Sequence, residues 1–248
     1  MPEIQEDVEK LVEKARSSCA MSGERLRAML SEKSDYDKVL AACARNVKMG
    51  PWKATSGLTL EYYLNAATNM LDKEVAASIT RMTLDVIRGC FRPKDGSSLL
   101  VVGMEMAGGI MAGQCAALAP ITHPDLLSWC DFVYCRKERK TSGTCQQLEG
   151  PNQITSRTPE SPAQSAIWVD DALSSGGSMR DGARLLKADY NIDLVGAVYL
   201  VDRSVDRKRL AIEKLGTADP ILSHTETLAL FDLEGVDASV PRKKARLD

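Results

Sequence analysis

The sequence predicts an α/β protein, a mostly parallel sheet flanked by helices, with extra N-terminal helices ahead of it. Three observations carry this prediction. Short apolar runs at residues 99–103, 132–135, 166–169 and 194–201 alternate with helical patterns over 110–118 and 179–186. Wholly apolar strands separated by helices mark a sheet buried on both faces. The composition, 44% hydrophobic and 27% charged, suits a packed core and excludes wholesale disorder. A length of 248 residues leaves room for one large domain or two small ones.

Taken in order, residues 4–46 read as helical. Ile4, Val8, Leu11, Val12 and Ala15 share a face, Ser22 is a candidate cap, and Tyr36, Val39, Leu40 and Cys43 form a second apolar set. Residues 48–57 read as a polar break, punctuated by Gly50-Pro51 and Ser56-Gly57, before the aromatic run Tyr62-Tyr63. A long helix follows, because Val75, Ile79, Met82 and Val86 recur at helical spacing between Asp72 and Gly89. Residues 136–165 are rich in Lys, Arg, Ser, Thr, Gln, Gly and Pro and predict a long loop, disordered or functional, with almost nothing to bury. A charged helix is expected over 205–215. The domains expected are an N-terminal helical extension over 1–33, a main domain over 34–236 and a basic tail over 237–248.

The formal charge of -2, from 32 basic and 34 acidic residues, argues against a surface for nonspecific nucleic-acid binding. That total hides concentrated segments: residues 136–140 and 239–248 each carry +3, leaving -8 for the rest of the chain. Seven cysteines without CxxC spacing point to a reducing, cytoplasmic setting. A metal site from Cys130, Cys135, Cys145 and His123 fits no common zinc spacing. The chain opens without signal-peptide character, and the apolar stretch 103–120 is interrupted by Glu105 and Gln114, so no membrane segment is expected. The tail Pro241-Arg242-Lys243-Lys244-Ala245-Arg246 leaves nuclear import open.

Chemistry concentrates at Trp168-Val169-Asp170-Asp171-Ala172-Leu173-Ser174-Ser175-Gly176-Gly177-Ser178. An apolar strand would deliver Asp170 and Asp171 to the carboxyl edge of the sheet, where ligands of open α/β folds bind. The small residues after them let backbone N–H groups and a helix N-terminus close round a phosphate. Carboxylates beside a phosphate cradle suit a sugar, whose vicinal hydroxyls they accept from.

This order of apolar, acidic and small residues resembles the phosphoribosyl-pyrophosphate signature of type I phosphoribosyltransferases. Four further segments, in that family's order, are similar to the orotate phosphoribosyltransferases. They are Thr55-Ser56-Gly57 with Tyr62-Tyr63, the loop Glu105-Met106-Ala107-Gly108-Gly109, the basic run Arg136-Lys137-Glu138-Arg139-Lys140 with Leu148-Glu149-Gly150, and the strand ending Asp202-Arg203.

The resemblance implies the type I phosphoribosyltransferase fold and transfer of 5-phosphoribose to orotate, giving orotidine monophosphate and pyrophosphate. Lys140 would be the catalytic loop lysine, with Asp170 and Asp171 holding the ribose hydroxyls. Leu173, Ser174, Ser175, Gly176, Gly177 and Ser178 would hold the 5-phosphate. Arg136, Lys137, Lys53, Gly108 and Gly109 would meet the diphosphate, and Tyr62, Tyr63 and Arg203 the base. Mg2+ is the implied cofactor, held through diphosphate and ribose with no direct protein ligand. A homodimer whose loop reaches the partner's site is also implied, while nucleic acid and membrane are not. At this length no fused decarboxylase is expected after the domain. Thr55, Ala107-Gly108 and Ser142 stand where members commonly carry lysine, lysine and histidine. A phosphoribosyltransferase for another base and a non-catalytic sensor of the same ligand therefore stay open.

Overall fold

A computed structural model describes residues 21–53, 59–143, 146–173, 176–202 and 225–232. The apolar face from Ile4 to Ala15, the helix expected over 205–215, Arg203 and the basic tail lie outside the described residues. Helix α1 (Gly23–Met29) starts at Ser22, whose side chain accepts from the Arg25 N–H at 3.1 Å. This satisfies one of the amide groups a helix start leaves without a partner. Helix α2 (Ser34–Arg45) buries Val39, Ala42 and Cys43.

The polar break expected at 48–57 is corrected. Strand β1 (Val47–Lys53) pairs antiparallel with β2 (Thr59–Leu64) as a separate two-stranded ribbon. Gly50-Pro51 falls where the register shifts between Met49 and Trp52, the position at which a strand tolerates proline. Residues 50–53 are exposed, so this half of the strand has no buried face to write an alternating pattern into the sequence.

Helix α3 (Ala66–Met70) leads into α4 (Ala76–Cys90), where Ile79, Met82 and Val86 are buried as their spacing requires. The main sheet then forms from β3 (Leu99–Met104), β4 (Cys130–Cys135), β5 (Leu148–Glu149), β6 (Gln164–Leu173), β7 (Ile192–Asp202) and β8 (Glu226–Asp232). Between them run α5 (Ala107–Thr122), α6 (Asn152–Thr155) and α7 (Gly177–Tyr190). The spatial order is β5-β4-β3-β6-β7-β8, with every neighbouring pair parallel except β4 with β5. The edge strand β8 was not among the expected elements.

Both faces of this sheet are covered, which is why its strands read as unbroken apolar runs. On one face Leu26, Val39, Ile79, Met82 and Met111 pack against Val101, Ile167 and Val169. On the other, Met179, Ala183 and Leu186 of α7 pack against Val102, Ala166 and Trp168. Successive residues of β6 thus serve opposite cores.

The long loop expected over 136–165 is also corrected. Leu148 is fully buried and Ile154 is 4% exposed, and burying two such side chains contributes about 1.5–3 kcal/mol each. The loop base is closed by the Arg136 N–H on the Gln147 carbonyl at 2.9 Å. Gln147 Nε2 in turn donates to the carbonyls of Arg136 and Lys137 at 3.0 Å each. No described helix is long and apolar enough to cross a membrane.

Candidate active site

Because β3, β4, β6 and β7 are parallel, their carboxyl ends lie along one edge. The chain leaves β3 toward β4 on one side and reaches β6 on the other, so a topological switch point falls between β3 and β6. Open α/β sheets bind ligands at such a crevice. The loop after β3, the basic segment after β4 and the small-residue loop after β6 all start from this edge.

Strand β6 runs through Leu173, further than the sequence indicates, so Asp170 and Asp171 lie within its last turn of pairing. Asp170 is opposite Tyr199, and Leu173 is opposite Asp202. The Asp171 N–H donates to Asp170 Oδ1 at 3.0 Å. Burial first, and then the charge of Asp171, push the Asp170 carboxyl up to about 7. Burial also raises Asp171, against the opposing pull of backbone N–H groups at Ala172 and at Ala67 in α3. Two half-buried acids this close hold a proton near neutrality until hydroxyl donors or a cation arrive.

Helix α5 begins directly against this pair. A Cβ on Gly108 would lie 2.6 Å from the Val169 carbonyl oxygen, and one on Gly109 would meet the Tyr134 ring at 2.2 Å. Only glycines let the start of α5 approach both strands so closely. After β6, Gly176 has φ 68° and caps α7, whose first residues are Gly177 and the exposed Ser178. A left-handed turn into a helix start aims backbone N–H groups toward one point, the arrangement that binds phosphate. The Leu173 side chain is buried in the core, which leaves only its backbone to take part in such a cradle.

On the far side of β3 the basic segment is tied by two carboxylates. Glu105 accepts from the Lys137 N–H at 3.0 Å and from the Tyr134 hydroxyl at 2.9 Å. These bonds, the Lys137 one first, hold the Glu105 carboxyl below its ordinary range. Glu149 Oε1 lies 2.7 Å from Lys140 Nζ and 3.1 Å from Arg136 Nε. Lys140 first, then Arg136, likewise lower Glu149. Arg139 pairs with Asp189 at 2.6 Å.

The structure therefore gathers Gly108, Gly109, Arg136, Lys137, Lys140, Asp170, Asp171, Gly176, Gly177 and Ser178 along one sheet edge. It places Lys53, Tyr62 and Tyr63 on the separate ribbon, where Lys53 is exposed opposite Thr59 and Tyr63 lies 6.1 Å from the Trp52 ring. Ser174, Ser175 and Arg203 lie outside the described residues. Glu105, Tyr134, Gln147 and Glu149 organise the site, yet sequence reasoning assigned them no role. The one signal was Glu105, a charge inside an otherwise apolar stretch.

Among the described residues no group of three or more His, Cys, Asp or Glu side chains is placed to hold a metal ion. Asp170 and Asp171 nevertheless offer carboxylate oxygens beside the phosphate cradle, a donor set that fits a hard cation carried mainly by substrate oxygens.

An acidic pair and a helix N-terminus at the switch point, with loop cations further along the same carboxyl edge, are the marks of a class of α/β protein suited to a phosphorylated sugar. Residues 67–224 match the family model for the phosphoribosyl transferase domain. The chain belongs to the phosphoribosyltransferase family. Its curated relatives include orotate phosphoribosyltransferase of Rhodopseudomonas palustris (strain BisB18), 26% identical over 175 residues, 71% of this chain and 83% of that protein. The orotate phosphoribosyltransferase of a Nocardioides species is 30% identical over 140 residues, 56% of this chain and 67% of that one. The crystal structure of Mycobacterium tuberculosis orotate phosphoribosyltransferase matches with a TM-score of 0.55 at 19% identity, covering 82% of this chain and 98% of that chain. This last likeness establishes the shared fold.

Proposed function

We propose that this chain is an orotate phosphoribosyltransferase, transferring 5-phosphoribose from phosphoribosyl pyrophosphate to orotate with release of pyrophosphate. The observation that carries the reading is the Asp170-Asp171 pair at the β3/β6 switch point, with the start of α5 on one side and the start of α7 beyond it. The choice of orotate rests on the curated relatives, which bear that name.

As C1 of the ribose separates from the diphosphate oxygen, positive charge builds on the sugar and negative charge on the leaving group. Catalysis requires groups that meet those charges better in the transition state than before it. Asp170 and Asp171 accept hydrogen bonds from the ribose hydroxyls and hold the ring in place. The N–H groups from Leu173 to Ser178 hold the 5-phosphate. Arg136, Lys137 and Lys140 meet the departing diphosphate from the β4 loop, and Gly108 and Gly109 let it approach the α5 backbone. Lys53, Tyr62, Tyr63 and Arg203 complete the diphosphate and base sites. Mg2+ would be carried on the substrate beside Asp170 and Asp171 and would supply charge neutralisation of the leaving group. Closure of the basic loop excludes water that would otherwise take the activated ribose. We place the enzyme in the cytoplasm as a homodimer whose loop serves the partner's site.

The test is direct. The protein is incubated with phosphoribosyl pyrophosphate, Mg2+ and a panel of bases including orotate, and nucleotide and pyrophosphate are measured. Orotidine monophosphate with stoichiometric pyrophosphate is expected. Product from another base alone would replace orotate, and tight sugar-diphosphate binding with no product from any base would make the protein a sensor.

A further inference from the structure

Resting on the reading that Arg136 and Lys140 grip the diphosphate, we propose that Glu149 is a positioning residue that holds these two cations at the site and is exchanged for the diphosphate when it binds. One carboxylate oxygen, Glu149 Oε1, makes both contacts, 2.7 Å to Lys140 Nζ and 3.1 Å to Arg136 Nε. A diphosphate that claims both cations must displace it.

The carboxylate is fixed by the fold, while its partners sit on the loop. Leu148, beside it on β5, is fully buried, and Glu149 pairs across the ladder with Tyr134. The Tyr134 ring lies 5.7 Å from the Arg136 guanidinium carbon, and its hydroxyl donates to Glu105. Gln147 clamps the carbonyls of Arg136 and Lys137. The backbone that carries Glu149 is thus held by β5 at the foot of the basic segment.

Its strength suits an exchange. The Lys140 and Glu149 side chains are 38% and 37% exposed, so water screens the pair and it is worth only a few-fold in affinity. A multiply charged diphosphate outcompetes a single carboxylate on such terms. When pyrophosphate departs, Glu149 recaptures both cations and favours its release. A residue that merely stapled β5 to the sheet would need no contact with Lys140, since Leu148 and the β4 ladder already hold β5.

The test uses the whole protein and Glu149→Gln, which keeps the side chain's shape and removes its charge. The rate of Lys140 acetylation by acetic anhydride, read by mass spectrometry, is expected to rise about threefold in the variant. Lys187, paired with Asp193 at 2.8 Å, and exposed Lys53 are controls expected to stay unchanged. Calorimetric binding of magnesium pyrophosphate is expected to tighten about threefold. If the Gln variant does not fold, Glu149→Asp, which shortens the reach by one methylene, should show the same changes at smaller size. Equal Lys140 reactivity in wild type and variant, or unchanged or weaker pyrophosphate binding in a folded variant, overturns the role of Glu149 alone. A wild-type protein that binds no magnesium pyrophosphate overturns the functional reading and this proposal together.

Discussion

Gly108 packs so tightly on the end of β6 that a Cβ there would lie 2.6 Å from the Val169 carbonyl oxygen and 3.3 Å from Asp170 Oδ1. The first obstacle is backbone, which cannot swing aside as a side chain would. Gly108→Ala must therefore push α5 away from β6 or displace the Asp170 carboxylate. We expect a stability loss of about 1–3 kcal/mol. A catalytic loss of roughly a hundredfold should accompany it, because ångström-scale misplacement at a reacting centre is that costly. Denaturant melts and steady-state kinetics on the same variant check both, and wild-type values of each would show that the contact is slack.

Asp170 carries a stability cost with a definite sign. Its carboxyl is raised to about 7 in the folded chain, first by burial and then by Asp171, against about 3.9 when unfolded. Between those values the native state binds more protons, so the Asp170 contribution to stability falls as pH rises from about 4 to about 7 and is flat above. Asp170→Asn has no charge to bury. We expect it to be more stable than wild type at pH 8, by up to about 4 kcal/mol, with the difference vanishing near pH 4. Urea midpoints of the two proteins at pH 4 and pH 8 test this, and a difference that is the same at both would refute it.

The same proton shapes the rate. A protonated Asp170 cannot use both oxygens to accept from ribose hydroxyls, so kcat/KM for phosphoribosyl pyrophosphate should rise with pH and level off above about 7. The acid limb should be absent from Asp170→Asn, whose residual activity then reports only the remaining groups. A limb that persists in the variant belongs to another group, such as the substrate phosphate.

The strands and the main helices were legible because burial on two faces writes apolar runs into the chain, as Ile167 and Trp168 do by serving opposite cores. The ribbon of β1 and β2 was not, since residues 50–53 face water and leave no period to detect. Leu148 and Ile154 were lost among polar neighbours: one apolar residue every few positions looks like loop until a partner strand is known. The acidic pair and the glycine cradle could be read because their chemistry needs those residue types in that order. The partners of Glu105 and Glu149 could not, because a backbone N–H 32 residues away or a cation 9 residues away leaves no local signature, and the charge of Glu105 within an apolar stretch marks the residue without its partner.

Lys140 separates catalysis from folding most cleanly. Its side chain is 38% exposed and its ammonium is bonded to Glu149. Truncation leaves that carboxylate half in water with Arg136 still 3.1 Å away, so no buried charge is orphaned. Lys140→Ala should shift stability by no more than about 1 kcal/mol. The role proposed for it at the leaving diphosphate is of another size, because a charge aimed at the transition state in a closed, water-poor site contributes about a hundredfold or more in kcat. Since the cation matters most when the C1–O bond breaks, kcat should fall more than KM rises. Steady-state kinetics beside a thermal melt decide the matter: unchanged turnover in a folded Lys140→Ala protein would remove the lysine from the mechanism and leave Arg136 and Lys137 as the cations that meet the diphosphate.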